Sequence, residues 1–343
     1  MQYVLYVLLM LLIFGVMIFI HELGHFLVAR RCGVSIKEFS VGMGPTLVSW
    51  KSKKYETKYG LRLLPIGGFV SMVGEDEESD DENAFCNKSV WKRMLIVLTG
   101  PVMNLILGFL LMTVMVFSMG NLASTTVAAF TEGATSDAQL QIGDEITHIN
   151  GTRVHTGNEL VYEIMNQGYE PIDMKVIRNG ERLTLKNVTF PGMEESGVSF
   201  GSYDFYVAEE RTTLGTLLKH SFWRSVSTVK MVYDSLIGLV SGRFGMEAVS
   251  GPVGVVEAVG TAAQSGAWSV LYLVIVLSIN LGVFNLIPFP ALDGGRFLFL
   301  VIEGIRRKPL NRNVESYVNF VGIMLLFALM IFVTVKDVFH LFG

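Results

Sequence analysis

The sequence predicts an α-helical polytopic membrane protein with about four transmembrane helices and an inserted α+β domain. Three observations lead there. Of 343 residues, 51% are hydrophobic and only 17% charged, with a mean hydropathy of +0.47, whereas a soluble domain carries about 25% charged residues. Several stretches reach the roughly 20 apolar residues that a helix needs to cross the hydrocarbon core. Between the second and third of them lies a polar segment of strand-like alternation and turn signals.

Met1–Ile20 contains no charged residue. It has neither a basic leader nor a small-residue cleavage site before His21, so it reads as a span rather than a signal peptide. Met94–Met119, Ser269–Pro288 and Tyr317–Val335 are the other spans. Lys and Arg set their orientation. The Arg30–Arg93 connection is rich in both, from Arg31, Lys37 and Lys51 to Lys88 and Lys92, and the last connection carries Arg296, Arg306, Arg307, Lys308 and Arg312. Both basic loops are therefore expected in the cytoplasm, and region 120–268 outside. The two cysteines, Cys32 and Cys86, lie outside that region, so it must hold together without disulfides. A net charge of −4 gives no reason to expect a nucleic-acid partner.

Four segments follow: 1–119 with two spans and a cytoplasmic β-loop, 120–210 as the outer domain, 211–268 at the outer surface, and 269–343 with the last two spans. In the outer domain, Asn150-Gly151 and Asn179-Gly180 are hairpin signals. Met174–Arg178 and Arg182–Lys186 flank the second as paired strands, and Asn158–Gln167 reads as a short helix. The stretch Leu140–Gly151, with Gly143-Asp144, Ile146, Ile149 and Asn150-Gly151, resembles the signature of PDZ domains. From Leu214 to Val240 apolar residues recur at helical spacing, with Lys219, Arg224, Lys230 and Asp234 on the remaining faces. Several charges together are costly in a span, so this is expected to be an amphipathic helix on the membrane surface. Ser250–Gly254 reads as a turn, and the acidic run Glu75–Glu82 as a solvated linker. Alternation across Tyr59–Met72 is broken at Pro65-Ile66-Gly67-Gly68, a hairpin signal.

The chemistry centres on His21-Glu22-Leu23-Gly24-His25. Positions i and i+4 share a helix face, so both imidazoles can reach one zinc. Glu22 beside them can take a proton from a water at the metal. Two unrelated histidines on a polar helix face would be the plain alternative. These three polar side chains, however, directly continue an uncharged apolar helix, where ionisable groups are functional by default. Zinc then lacks a ligand, and a hard oxygen donor is expected from elsewhere. Asp293 is the only acid between Glu257 and Glu303, and it follows its span at the same cytoplasmic end as His21 and His25. Asp293-Gly294-Gly295 taken alone is a turn. Pro288 and Pro290 break the helix at membrane depth, which is tolerated beside a cavity or buried protein.

With HELGH ending the first span, a PDZ-like insert, and Asn285-x-x-Pro-x-Pro-x-Leu-Asp293-Gly-Gly, the chain resembles the site-2 protease family of intramembrane zinc metalloproteases. It is most similar to the bacterial branch that includes the regulator-of-sigma-E protease. The resemblance covers nearly the whole chain. It implies Zn2+ held by His21, His25 and Asp293, with Glu22 as general base and Asn285 and Asn280 holding the substrate backbone. It also implies a membrane-associated β-hairpin loop beside the zinc, where Gly67 and Gly68 allow close backbone approach and a strand edge receives the substrate. The implied substrates are single-pass transmembrane proteins, such as anti-sigma factors or remnant signal peptides. They would be trimmed first by a site-1 protease and then cut in a bacterial plasma membrane, with membrane lipid as the other partner. Some relatives carry two PDZ domains, whereas this chain has room for one. Asn280 also fits a helix–helix hydrogen bond. Two rival readings are a silent scaffold with structural zinc and a PDZ capture domain, and a zinc transporter. The first has no use for Glu22, and the second needs polar groups spread along several spans.

Overall fold

The computed structural model describes residues 2–75, 77–195, 198–245 and 249–342. In chain order the elements are α1 (Gln2–Arg31), β1 (Ile36–Lys51), β2 (Lys58–Met72), α2 (Val90–Ser118), β3 (Asn121–Phe130), β4 (Glu145–Ile149), β5 (Thr152–Arg153) and α3 (Gly157–Gln167). They continue with β6 (Ile172–Arg178), β7 (Glu181–Val188), β8 (Gly192–Glu195), β9 (Val198–Gly201), β10 (Phe205–Arg211) and α4 (Leu214–Val240). The last four are α5 (Pro252–Ser265), α6 (Ala267–Leu286), α7 (Asp293–Arg306) and α8 (Arg312–Phe342). Contacts divide the chain into two units, Met1–Gly108 with Glu247–Gly343, and Phe109–Met246.

Among the described residues, α1, α2, α6 and the Arg312–Asp337 part of α8 are long and apolar enough to cross a membrane. The first helix does not end with its apolar run at Ile20. It continues through the HELGH residues to Arg31 and stops at Gly33, whose φ of +73° suits the left-handed closing turn, a conformation that favours glycine. Arg30 and Arg31 in its last turn complement the negative end of the helix dipole. At the far end of the chain α6 stops at Leu286, and Ile287 is already extended with ψ 136°. The cause is Pro288, whose ring disfavours helical backbone in the residue before it.

Two apolar clusters flank the polar stretch of α1. Ile13 and Met17 pack with Val259 on α5 and with Leu107 and Leu277. Phe26 and Ala29 pack with Phe39, Met72, Ile96, Val97 and Leu300, joining α1 to the β1–β2 sheet, α2 and α7. His21 and His25 are thus held between two packed layers.

The β1–β2 sheet departs from the expected hairpin at Gly67. The chain reverses between β1 and β2, and Phe39 lies opposite both Val70 and Tyr59, as Ser40 does opposite both Phe69 and Gly60. The two halves of β2 therefore flank the first half of β1. Gly67, with φ +80°, is where β2 swings from one flank to the other. A tight hairpin there would leave the apolar face of Phe39 without its second neighbour. The acidic run also departs from a solvated linker at its start, because Glu75 accepts a hydrogen bond from Met72 N–H and pairs with Arg296; Asp76 lies outside the described residues. Ser250–Gly254 is more than a turn. It opens α5, and the buried Asp337 carboxylate accepts from Gly251 N–H at 2.8 Å and Gly254 N–H at 3.0 Å, satisfying donors at the helix start.

The second unit is built on a sheet in the order β10-β3-β4-β6-β7, with β5 paired to β4. Asn150-Gly151 joins β4 to β5, and Asn179-Gly180 joins β6 to β7. All four residues have positive φ, as a two-residue primed turn requires. The core is Val127, Leu140, Ile146, Ile149, Leu160, Ile164, Met174, Val176 and neighbours, most of them fully buried. Thr156 and Glu159 form a capping box at the start of α3. The helix α4 turns its polar side toward this unit. Lys230 pairs with Glu163, Tyr162 O–H donates to Asp234 at 2.8 Å, and His155 stacks on Trp223 at 3.4 Å, while Arg243 just beyond the helix donates to Asn166. Burial beside Asp234 pushes the Tyr162 phenol well above its usual range. Its other side leaves Leu214, Leu218, Phe222, Val226, Tyr233, Ile237 and Val240 exposed.

A candidate metal centre

The first-unit helices bring His21, His25 and Asp293 together, the one group of three or more such side chains able to hold a metal among the described residues. One helical turn separates the two histidines on α1. Their Nε2 atoms lie 3.2 Å apart, and Asp293 Oδ2 is 2.9 Å from His21 Nε2 and 3.4 Å from His25 Nε2. Asp293 is the first residue of α7 rather than part of a loop. Gly294 and Gly295 next to it are pressed against the carbonyls of Ile287 and Phe289, so the turn between α6 and α7 has no room for side chains there.

These residues fit zinc. Tetrahedral zinc with bonds of about 2.0–2.1 Å separates its donors by roughly 3.3 Å, close to the distances here. Asp293 Oδ2 is buried and accepts no hydrogen bond. An anionic oxygen left that way is costly unless a cation takes its lone pairs. The donor set is two imidazoles and a carboxylate, the mixture that zinc takes in catalytic sites with a fourth position open.

Glu22 lies between the two histidines in sequence and turns to the sheet. Its Oε2 accepts a hydrogen bond from Val70 N–H at 3.1 Å. The amides of Val70 and Met72 both leave β1 and point outward, so this half of β2 is an edge. Gly68 sits on it, and a Cβ there would come within 2.9 Å of Ser40 O and 3.6 Å of Glu22 Cγ. Gly67 packs against Met43 instead. Asn285 donates its side-chain amide back to Leu281 O at 2.9 Å. Asn280 is partly buried on α6, outside the cluster.

Sequence reading missed the contribution of α2. His25 Nδ1 lies 2.8 Å from Ile96 O, and the Asn104 side-chain nitrogen lies 3.1 Å from His21 Nδ1. Between them, a Cβ on Gly100 would fall on His25 Nε2 and come within 2.7 Å of His21 Nε2. Ile96, Gly100 and Asn104 recur every four residues, one face of a helix. The available signal was Asn104 itself, the one side-chain amide within this apolar helix.

Comparison with known proteins agrees with this chemistry. Residues 9–329 match the model of peptidase family M50. The chain is 39% identical to a protein of Clostridium acetobutylicum classed with the zinc metalloproteases, over 96% of both chains. It is 31% identical to the zinc metalloprotease RasP of Bacillus licheniformis and 30% identical to the regulator of sigma-W protease RasP of Bacillus subtilis. Each alignment covers 97% of this chain and 98% of the relative. The chain therefore belongs to peptidase family M50, and it is a zinc metalloprotease of the membrane.

Proposed function

We propose that this protease cuts the transmembrane segments of single-pass membrane proteins, the last step of regulated intramembrane proteolysis. The observation that carries the reading is the junction at Glu22, which sits in the metal-binding helix and accepts a hydrogen bond from the edge of β2. A transmembrane helix resists hydrolysis because its carbonyls are already hydrogen-bonded. Added to the β2 edge as a strand, a substrate would exchange those bonds for the outward amides of Val70 and Met72, displacing the Glu22 and Glu75 carboxylates that accept from them. In this reading His21, His25 and Asp293 hold the zinc, and Glu22 takes the proton from the attacking water and returns it to the departing amine. When bound, zinc would supply a Lewis acid for the scissile carbonyl and for the attacking water. Asn285, and Asn280 one turn and a half before it, steady the substrate backbone. Gly67 and Gly68 let the β2 backbone approach closely.

The Bacillus subtilis relative is named as a regulator of sigma-W protease, which supports anti-sigma factors as the substrate class, with remnant signal peptides as a second. The basic connections support a metal centre at the cytoplasmic face of a bacterial plasma membrane, with region 120–268 outside. There residues 120–210 serve as a PDZ-type domain. The exposed apolar side of α4 lies in the outer lipid surface while its polar side carries the domain. Held so, the domain excludes substrates that an upstream protease has not yet trimmed. The rival scaffold reading gives Glu22 no role. Glu22→Gln should keep zinc while cleavage of a model transmembrane substrate falls by about 10²–10⁴-fold. Turnover near the wild-type rate in that variant would rule out the proposed mechanism.

A further inference from the structure

We propose that Asn104 is a positioning residue for the metal centre, whose side-chain oxygen takes the Nδ1 proton of His21 and thereby sets which ring nitrogen is offered to zinc. The inference rests on His21 and His25 as ligands. A neutral imidazole carries one proton and one lone pair. For His25 the structure decides which is where. Nδ1 faces the Ile96 carbonyl at 2.8 Å, and a carbonyl only accepts, so the proton is on Nδ1 and the lone pair is on Nε2, at the cluster.

His21 has no backbone carbonyl in that position. Its Nδ1 faces the Asn104 amide at 3.1 Å, while the oxygen of that same amide is buried without a partner and Asn104 has no exposed surface. The nitrogen and oxygen of an amide exchange places by a half-turn that hardly alters its shape. With the oxygen toward His21, one hydrogen bond satisfies the orphaned acceptor and fixes the proton on Nδ1. It also frees Nε2, which lies 2.9 Å from Asp293. The other orientation leaves a buried acceptor unpaired and keeps the proton on Nε2, pointing at the cluster. The backbone of Asn104 is itself tied down, because Ser278 Oγ–H donates to its carbonyl at 2.9 Å. One face of α2 therefore orients both ligands: Ile96 through its carbonyl, Asn104 through its side chain, and Gly100 between them by having no side chain.

The test compares Asn104→Ala and Asn104→Asp in the full-length chain, purified in detergent. Zinc affinity is measured by competition with a chelator, and melting temperature is measured with and without zinc. A carboxylate can accept the Nδ1 proton but cannot donate. Asn104→Ala should bind zinc about 10–100-fold more weakly, and the rise in melting temperature on adding zinc should shrink to match. Asn104→Asp should hold zinc within a few-fold of the wild type. Equal affinity in Asn104→Ala and the wild type would overturn the proposal. So would a loss in Asn104→Asp as large as in Asn104→Ala. If Asn104→Ala lowers both melting temperatures equally, the residue is a packing residue and the proposal fails. A His21→Ala variant with undiminished zinc affinity would instead remove the ligand assignment beneath it.

Discussion

The buried carboxylates of the second unit and the metal centre of the first treat their lone pairs in opposite ways. In the second unit they pair off within the protein. Asp144, fully buried, receives two hydrogen bonds from Arg178 at 2.7 Å and one from Gln141 N–H at 2.9 Å. Asp204 takes bonds from Thr135 and Ser136, and Glu159 takes the amides of His155 and Thr156. Among the described residues Ser221 Oγ is left over there, and His155 Nδ1 lies 3.3 Å from Glu159 Oε2. In the first unit His21, His25 and Asp293 converge with their lone-pair atoms facing one another and the carboxylate unsatisfied. A satisfied buried network stabilises a domain and makes it rigid. A convergent, unsatisfied one is stable only with a cation, so it marks where the chemistry is. Charge content alone would not have separated the two.

Changes on either side of this contrast should have distinct signatures. The largest effect is expected from Asp293→Ala, which removes the proposed anionic ligand. Zinc content and cleavage should fall together, by orders of magnitude, whereas Asn285→Ala should impair cleavage with zinc retained. Metal analysis of both purified variants decides it, and equal occupancy would take Asp293 out of the ligand set. Gly100→Ala comes next. Its methyl group would occupy the space of both Nε2 atoms, so zinc binding should be lost although none of His21, His25 and Asp293 is changed. A zinc-replete Gly100→Ala would mean that α2 can move away from α1, contrary to the close packing seen.

In the second unit, Asp144→Ala should act on stability alone. Removing one partner of the buried pair is expected to cost about 3 kcal/mol, visible as faster hydrogen exchange across β4 and β6, with zinc content unchanged. Loss of zinc would show that the two units are energetically coupled. The smallest effect on the metal is expected from excising residues 121–211 and joining Gly120 to Thr212. These ends already meet, with Thr212 N–H donating to Gly120 O at 3.3 Å. Zinc occupancy should match the wild type, and an untrimmed substrate should now be cut. Continued refusal of that substrate would place the exclusion elsewhere.

Much of this could be read before any coordinates. Spans, primed hairpin turns and the HELGH pair are local matters: apolar runs, an Asn-Gly step, two histidines one turn apart. The amphipathic helix was legible too, because Leu214, Leu218, Phe222 and Val226 repeat at four-residue intervals. Its partner was not, since nothing near Lys230 in the chain names Glu163. Helix α7 was hidden for a similar reason. Asp-Gly-Gly is turn-like by propensity, and only packing against the Ile287 and Phe289 carbonyls makes two glycines acceptable in a first helical turn. The doubled sheet went unseen because alternation reports which face of a strand is buried, not which strand lies beside it. By itself, then, the sequence determined where the chain is apolar, where it turns, and that two imidazoles share a face. Only the tertiary structure brought the Asp293 carboxylate within reach of both imidazoles, set Glu22 against a strand amide, and put Asn104 and Ile96 beside the rings. Neighbouring residues determine backbone preference and contact with solvent. Where lone pairs meet depends on how helices far apart in the chain pack against one another, here through glycines that permit the approach.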